Sequence, residues 1–308
     1  MHIAVMGAGG VGSYFGARLA SAGHRVTLIG RPRHVEAIRR DGLKLESRGV
    51  TQLLAVEATT AASGVAGADL VLVAVKSDDT ESAGREMAAH LAPGAAVVSL
   101  QNGVDNAERL AATLGRPVIP AAVYVATEMA GDGFVRHHGR GELILGAGPR
   151  SEEIAVWLRA AGAPTTVSDR VAGALWAKLV LNCAYNALSA VSQLPYGPMC
   201  EVQGVREVMR DVVSECEAVA SRLGVALPGD LLASVFALAP SMPEQYSSTA
   251  QDLARGRLTE IGHLNGFIVR QGEAHGVPTP VNRALLAMVR LCEARAVRGP
   301  QPTSTTGP

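Results

Sequence analysis

The chain has 308 residues, enough for one or two domains with a sizeable core. It is 48% hydrophobic and 18% charged, and 28 basic residues balance 28 acidic ones, so the charge favours neither a nucleic-acid partner nor an acidic one. No apolar run reaches the roughly 18 residues of a membrane span, and the first residues resemble a strand rather than a signal peptide. We therefore expect a globular, cytoplasmic protein without a membrane partner.

A glycine-rich loop opens the chain. His2–Met6 predicts a buried strand, the next six residues are GAGGVG, a helical pattern follows, and Arg25–Ile29 predicts a second strand. This order within about 30 residues is typical of a dinucleotide-binding βαβ unit, and it disfavours a glycine turn without a ligand. Gly7 permits the tight turn, Gly9 lets the backbone approach a pyrophosphate, and Gly12 lets the helix pack on the sheet. The predicted cofactor contacts in this loop are Gly7, Ala8, Gly9, Gly10, Val11 and Gly12.

The end of the second strand indicates which nucleotide is bound. An NAD site usually has an acidic residue there for the ribose 2′-hydroxyl. This sequence has Gly30 and Arg31 instead, and no acid before Glu36. An arginine can form a pair of hydrogen bonds to a 2′-phosphate, and Gly30 leaves room for one, so NADP(H) is the predicted cofactor. The alternative is that Arg31 and Arg33 are only solvated loop charges.

Two later strands end in polar residues. Asp69–Val75 is a continuous apolar strand suited to a parallel sheet, and Lys76 follows it; Ala96–Leu100 predicts another strand, and Asn102 lies just beyond its end. Because ligands bind outside the carboxyl ends of parallel strands, Lys76 and Asn102 are predicted to contact the cofactor. A solvated lysine and a turn amide are the alternatives. Ala126 ends the next predicted strand and is a further predicted cofactor contact.

The remaining elements of this half continue the alternation of strands and helices that predicts a Rossmann-type doubly wound sheet. They are a helix over Arg33–Arg40, strands over Leu43–Leu45 and Thr51–Val56, helices over Thr80–Leu91 and Asp105–Leu114, a strand over Val118–Ala126, an antiparallel pair across Thr127–Leu145, a helix over 151–161 and a strand over Pro164–Val167.

From Asp169 onward strand patterns disappear and long helical patterns replace them. The predicted helices run over about Asp169–Val191, Glu201–Leu223, Gly229–Leu238, Ser247–Gln251 or longer, Glu260–His275 and Val281–Val297. The predicted fold class is therefore α/β, with an N-terminal Rossmann-type NADP-binding domain over residues 1–168 and an all-helical substrate and catalytic domain over residues 169–298. Residues 299–308 have no apolar anchor, and we expect them to be disordered.

The first of these helices is apolar except for one polar seam. Lys178, Asn182 and Asn186 are spaced at i, i+4 and i+8, which forms a stripe about 12 Å long on one helix face. A lysine and two amides on a buried helix are costly without partners. Spacing alone leaves two interpretations open, an internal hydrogen-bond network and a substrate site in which Lys178 donates a proton.

A second polar cluster lies in Gln245–Gly266, where Ser248 and Glu260 are candidate site residues. Glu260 is expected to begin an apolar helix. It either caps that helix, with Thr259 before it, or reaches Lys178 and influences its charge. The eight histidines show no HExxH or Cys/His ligand spacing, and the four cysteines form no CxxC pair, so no metal is predicted.

Several ordered motifs over about Met1–Glu293 resemble the ketopantoate reductase (2-dehydropantoate 2-reductase) family. The motifs are GAGGVG at Gly7–Gly12, VK at Val75–Lys76, QNG at Gln101–Gly103, K-x3-N-x3-N at Lys178–Asn186, SS-x2-QD-x6-TEI at Ser247–Ile261, NGF at Asn265–Phe267 and AHG at Ala274–Gly276. The resemblance implies hydride transfer from NADPH to the C2 carbonyl of a 2-oxo acid.

The resemblance also implies a role for each matching residue. Lys178 corresponds to the general acid, Glu260 to the carboxylate that partners lysine or substrate, Asn182 and Asn186 to substrate-binding amides, Ser248 to the hydroxyl near the substrate carboxylate, Asn102 to an amide that touches cofactor and substrate, and Arg31 and Lys76 to contacts on the adenosine side of NADP.

This chain departs from the family pattern at three places. Thr249-Ala250 replaces a common Met-Leu, Gln245 stands where Asn is frequent, and Tyr196 replaces an Asn before a glycine. The last two changes keep open a different substrate, another bulky 2-oxo acid or ketone. A 3-hydroxyacid dehydrogenase and a non-catalytic NADP-binding sensor also stay open as functions. The long C-terminal helices are suited to pairing subunits in a homodimer.

Overall fold

The structure is a computed structural model that describes residues 1–298, so the predicted disordered tail lies outside the described residues. The chain divides into two compact units, Met1–Leu175 and a second that begins at Trp176. The last strand ends at Ser168, whereas the first unit continues to Leu175. The boundary at residue 168 stays a prediction.

The first unit contains one mixed sheet, which has ten strands in the described part of the chain. The strands are β1 (His2–Met6), β2 (Arg25–Ile29), β3 (Leu43–Ser47), β4 (Val50–Leu54), β5 (Glu57–Thr59), β6 (Leu70–Val73), β7 (Ala96–Ser99), β8 (Ile119–Gly131), β9 (Phe134–Gly146) and β10 (Thr165–Ser168). Six of them are parallel in the order β5-β2-β1-β6-β7-β8, which is the Rossmann arrangement. The predicted fold class is confirmed.

The strand β9 pairs antiparallel with β8, as the sequence predicts, and extends the sheet toward the β3–β4 hairpin. The helices of this unit are α1 (Gly10–Ser21), α2 (Pro32–Asp41), α3 (Thr80–Ala88), α4 (Asn106–Leu114) and α5 (Ser151–Ala160). β1 and β6 are almost entirely buried, because helices and neighbouring strands cover them. Ile3, Val5 and Phe15 are fully buried in the core that joins α1 to the sheet.

The second unit contains helices joined by turns and loops, and no strand among its described residues. Its helices are α6 (Val171–Ser192), which begins within the first unit, α7 (Tyr196–Glu201), α8 (Val205–Arg222), α9 (Leu231–Ser241), α10 (Ser248–Ala254), α11 (Asn265–His275) and α12 (Pro280–Arg298). Among residues 1–298, α6 alone has the length and hydropathy of a membrane-spanning helix. However, 61% of its most apolar stretch is buried inside the protein, so this is weak evidence for a span.

Two predicted helices of this unit differ from the structure. Glu260 does not begin an α-helix: a short 3₁₀ turn, Ile261–His263, follows it, and α11 starts only at Asn265. The predicted helix from Glu201 starts later, at Val205, because Gly204 adopts a positive φ of 88°. Between α6 and α8, Pro195 directly precedes the short helix α7.

Candidate active site

The glycine loop has a conformation that only glycine accommodates at two positions. Gly7 has φ +113°, and a Cβ there would lie 2.6 Å from the carbonyl carbon of Ala74. A Cβ on Gly12 would lie 2.0 Å from the carbonyl oxygen of Gly7. The N–H groups of Gly7 and Ala8 both donate to the carbonyl of Ile29, at 2.9 Å, so the loop is tied to the end of β2.

The start of α1 fits a pyrophosphate. A Cβ on Gly9 would meet no atom within 4 Å, so this side of the loop is open, and the first turn of α1 contains no acidic residue. The first N–H groups of a helix lack partners within it and attract anions. Gly10 and Val11 contribute two of these groups and are half-buried, and a Cβ on Gly10 would lie 3.0 Å from the hydroxyl of Thr127, next to Ala126 on β8.

The segment after β2 holds an exposed arginine. Arg31 precedes α2, and no ion pair involves its guanidinium among the described residues. Arg33, by contrast, is paired with a carboxylate: its Nε lies 3.2 Å from Oδ1 of Asp132. The same oxygen lies 3.2 Å from Nδ1 of His34. Gly30 packs against Ala8, so a Cβ there would approach to 2.6 Å. Arg31 is therefore the cation of this segment that can meet a ligand.

Lys76 and Asn102 follow neighbouring parallel strands, since Val73 at the end of β6 is in register with Ser99 at the end of β7. Both residues are half-buried. The carbonyl of Asn102 accepts hydrogen bonds from the Ser77 hydroxyl, at 3.2 Å, and from the Asn106 side-chain amide. With the glycine loop after β1 and Arg31 after β2, all these predicted contacts lie at one edge of the sheet.

A buried polar network supports the Asn102 loop, and the sequence patterns did not predict it. Gln101 accepts from Ser99, at 3.0 Å, and donates to the hydroxyl of Thr80, at 2.7 Å. That hydroxyl lies 3.0 Å from the Asn106 side-chain oxygen. The signal was present, because Gln101 belongs to the QNG motif, but the motif suggested a role only for its neighbour Asn102.

Burial increases along the polar seam of α6, from Lys178 to Asn186. Lys178 and Asn182 are half-buried, whereas Asn186 is 2% exposed. Its amide donates to the hydroxyl of Ser248 at 3.5 Å, so these two predicted residues come together. Ser248 itself is exposed. The seam thus runs from a half-buried lysine to an amide–hydroxyl pair, an arrangement that can bind a polar substrate and donate a proton.

Glu260 is held by a segment anchored to α12. The preceding residue, Thr259, donates its N–H and its hydroxyl to the carboxylate of Glu293, at 2.8 and 2.7 Å. The same hydroxyl accepts from the N–H of Ile261, at 3.2 Å. The Thr259 hydroxyl therefore binds the first N–H of the 3₁₀ turn, while the carboxylate of the half-buried Glu260 forms no cap hydrogen bond there. The sequence patterns gave no indication of Glu293.

A buried chain of side chains supports the middle of α6. Asn265 donates to the carbonyl of Cys183, at 3.1 Å, and to Asn282, at 2.9 Å. Asn282 donates to Glu215 at 2.7 Å, and the same carboxylate accepts from the N–H groups of Asn282 and Val281 at the start of α12. Asn265 belongs to the NGF motif, so its importance was visible in the sequence but its function was not.

Tyr196, one of the departures from the family pattern, is a core residue. It is 8% exposed, its ring lies 4.6 Å from that of Tyr185, and its N–H donates to the carbonyl of Gln245 at 2.9 Å. Burial raises the pKa of the Tyr196 hydroxyl well above its usual range. The two departing residues, Tyr196 and Gln245, are thus direct neighbours.

No cluster of three or more His, Cys, Asp or Glu side chains suited to a metal ion occurs in the described part of the chain. The four cysteines are free thiols, and all but Cys292 are buried. Cys183, Cys200 and Cys216 lie in α6, α7 and α8 as small apolar residues.

Parallel strands with a glycine loop at their carboxyl edge, followed by a helical unit with a lysine–amide seam, are typical of oxidoreductases that use a nicotinamide dinucleotide. A family model described as ketopantoate reductase PanE/ApbA matches residues 3–150, and its C-terminal counterpart matches residues 170–293. The chain therefore belongs to the ketopantoate reductase family, as its motifs predicted.

Three similar proteins illustrate the relationship. The crystal structure of a PanE/ApbA family ketopantoate reductase from Ralstonia eutropha JMP134 is 55% identical, with a TM-score of 0.94 over 96% of this chain and 100% of that one. A 2-dehydropantoate 2-reductase of Pyrococcus horikoshii is 33% identical over 96% of this chain and 98% of its own length. A D-mandelate dehydrogenase in complex with NADH is 25% identical, with a TM-score of 0.85 over 96% of this chain and 99% of that one.

Proposed function

We propose that this protein reduces 2-dehydropantoate (ketopantoate) to pantoate with NADPH, within pantothenate and coenzyme A biosynthesis. The observation that carries the proposal is the seam of α6, which places a lysine and two amides on one helix face and ends in the 3.5 Å contact between Asn186 and Ser248. The names of relatives such as the Pyrococcus horikoshii 2-dehydropantoate 2-reductase support the choice of substrate.

In this proposal the first unit holds the cofactor. The N–H groups at the start of α1 bind the pyrophosphate, Lys76 and Asn102 contact the nucleotide, and Arg31 binds the 2′-phosphate. NADPH is preferred over NADH because Gly30-Arg31 has a cation where a ribose-binding acid would stand. A bound nicotinamide dinucleotide supplies the hydride that reduces the C2 carbonyl.

The second unit supplies the proton and the substrate contacts. Lys178, as an ammonium ion, donates a proton to the carbonyl oxygen as that oxygen gains negative charge; the amine left behind is reprotonated from solvent. Such general-acid assistance contributes about 10²- to 10⁴-fold to the rate. Glu260 balances the charge of Lys178, whereas Asn182, Asn186 and Ser248 bind the substrate. The cost of a lysine on a mostly buried helix is then explained by catalysis.

The test is a screen of NADPH and NADH oxidation with ketopantoate and a panel of branched and aromatic 2-oxo acids. We expect ketopantoate with NADPH to give the highest kcat/KM, and Lys178→Ala to lower kcat about 10²- to 10⁴-fold. Lys44→Ala removes an exposed lysine from β3 and is the matched control. No turnover of ketopantoate would contradict the substrate assignment, and full activity of Lys178→Ala would contradict the role of the lysine.

A second candidate is a reductase of another bulky 2-oxo acid or ketone. The departure at Gln245, three residues before Ser248, and the similarity to a D-mandelate dehydrogenase favour it. Phenylglyoxylate is therefore part of the panel. A higher kcat/KM with phenylglyoxylate than with ketopantoate would favour this candidate, while leaving the proposed role of Lys178 intact.

We further propose a homodimer in the cytoplasm. Four free thiols suit a reducing compartment. Met288 and Leu291, 44% and 70% exposed, are three residues apart on α12 and therefore share a face that suits contact with a second copy. Light scattering is expected to give twice the chain mass for wild type and a monomer for Leu291→Lys; a monomeric wild type would contradict the dimer.

A further inference from the structure

The first unit contains a cavity of about 670 Å³ on the flank of α1. Its walls come from the second and third turns of α1, the β3–β4 hairpin, β9 and the segment between α5 and β10. None of the residues predicted to bind the cofactor lines it. Its volume is in the range of cavities that hold small metabolites, so it is a candidate second binding site.

The cavity is positively charged. Arg18, Arg48 and Arg140 line it, and Glu142 is the one carboxylate among the residues of its wall. That carboxylate is already bound to Arg140, with 3.2 Å between Nε and Oε2. Arg18 donates its Nε to the carbonyl of Ala161, whereas Arg48 has no ion pair or side-chain hydrogen bond within the described residues. At least two guanidinium groups therefore lack a neutralising carboxylate.

Two of these arginines have backbone conformations that non-glycine residues rarely adopt. Arg48 has φ +52° and forms the two-residue turn of the β3–β4 hairpin with Gly49, where Asn or Gly is usual. Arg140 has φ +63° at the bulge where the register of β8 and β9 shifts after Tyr124. Such residues concentrate at ligand sites. Here the hairpin turn and the bulge each place an arginine, Arg48 and Arg140, at the same cavity.

The remaining walls are aromatic, hydrogen-bonded and partly apolar. The ring of Tyr14 stacks on His137 with 4.5 Å between centroids, and His137 is held by the Ser47 hydroxyl at 2.9 Å and the Arg140 carbonyl at 2.7 Å. Val50 also lines the cavity and is 62% exposed, so it offers an apolar surface to a ligand. Burial raises the pKa of the Tyr14 hydroxyl, which therefore remains a neutral hydrogen-bond donor.

We propose that this cavity binds a small phosphate ester, with the phosphate on Arg18 and Arg48 and its organic part on the Leu45–Val50 wall. A planar guanidinium can form two parallel hydrogen bonds to one phosphate. Neither Arg18 nor Arg48 is already paired in this way with a carboxylate of the described residues. The site is additional to the proposed cofactor and substrate sites, and only the use of NADP⁺ to fill the cofactor site in its test rests on the proposed function.

The experiment is isothermal titration calorimetry on the full chain saturated with NADP⁺, with phenyl phosphate as the probe and inorganic phosphate as the reference. We expect one phenyl phosphate per chain, bound more tightly than inorganic phosphate. Arg48→Asn is expected to weaken binding at least 10-fold, since hydrogen bonds to charged groups are strong, while asparagine tolerates the positive φ of the turn. Arg222→Gln, at the exposed end of α8, is the matched control and should bind like wild type.

Three results would overturn the proposal: no binding of phenyl phosphate to the NADP⁺-saturated protein, binding seen only without NADP⁺, or unchanged binding in Arg48→Asn. If Arg48→Asn fails to fold, Arg18→Gln replaces it, because Arg18 is on a regular helix and has an ordinary backbone conformation. The same 10-fold loss is expected there, and unchanged binding would again contradict the site.

Discussion

The side-chain amide of Asn186 donates to the hydroxyl of Ser248 with 3.5 Å between Nδ2 and Oγ, while the neighbouring Ser247 donates its hydroxyl to the main-chain carbonyl of the same asparagine at 3.2 Å. Ser247 is buried and its hydroxyl also accepts from the N–H of Ala250, at 3.0 Å, so it caps α10. Ser248 is exposed. Two adjacent serines thus contact the same asparagine. Ser247 has a structural role, whereas the exposed Ser248 is suited to contact a ligand.

The serine pair gives a matched test. Ser248→Ala is expected to raise KM for the 2-oxo acid about 10-fold, because a hydrogen bond to a charged group contributes at least about this factor. The melting temperature should change little. Ser247→Ala removes a helix cap and should lower the free energy of unfolding by about 1 kcal/mol. Steady-state kinetics and thermal unfolding separate the two effects. A Ser248→Ala variant with wild-type KM would contradict substrate binding by this hydroxyl.

Arg31 and Arg33 give a second matched pair. Arg31→Ala is expected to lower kcat/KM with NADPH about 10- to 100-fold and to leave kcat/KM with NADH nearly unchanged, because only NADPH has the 2′-phosphate. Arg33→Ala should have a much smaller effect, since Arg33 is paired with Asp132. The measurement is the ratio of the two kcat/KM values. Equal losses with both cofactors in Arg31→Ala would mean that Arg31 does not select the nucleotide.

The glycine loop predicts opposite outcomes for two alanine substitutions. Gly12→Ala introduces a Cβ 2.0 Å from the carbonyl oxygen of Gly7, so the backbone must move, and we expect a loss of about 2 to 3 kcal/mol in stability or no folded protein. Gly9→Ala meets no protein atom within 4 Å and should keep the wild-type melting temperature. If Gly9 faces the pyrophosphate, this variant binds NADPH at least 10-fold more weakly by fluorescence titration. Wild-type cofactor affinity would contradict that position.

The parallel half of the fold could be predicted from sequence because continuous apolar strands, a glycine loop and intervening helices follow strong local rules. The strand β5 was missed, since Glu57–Thr59 is only three residues long and its central residue alone is buried. Glu260 was assigned to a helix because apolar residues follow it at helical spacing. In the structure the helix begins only after Leu264, whose φ of −107° and ψ of −103° are not helical.

Candidate site residues could be located, but the residues that support them could not. Lys178, Asn182 and Asn186 have a spacing that marks one helix face whatever their partners are. The partners of Thr259 and Asn265, by contrast, are Glu293 and Asn282, which are distant in the sequence and depend on how helices pack. No local pattern predicts such pairs.

The support of α6 by Asn265 leads to a final prediction. Asn265 is fully buried, and it donates to the carbonyl of Cys183, one residue after Asn182 in the seam, and to Asn282. Asn265→Ala removes both hydrogen bonds and leaves the Asn282 oxygen without this donor, so we expect a loss of about 1 to 3 kcal/mol in stability. Because α6 loses a contact next to Asn182, kcat should also fall, by a smaller factor than in Lys178→Ala.

A double-mutant cycle with Asn282→Ala separates this network from general damage to the core. Residues that share a hydrogen bond are expected to show a coupling energy of about 0.5 to 3 kcal/mol in urea unfolding, whereas independent sites add within about 0.5 kcal/mol. Asn265→Ala paired with Ser234→Ala, an exposed residue on α9, is the control and should be additive. Additive losses for Asn265 and Asn282 would mean that the two amides stabilise α6 and α12 separately, and the seam would then depend on Asn265 alone for this support.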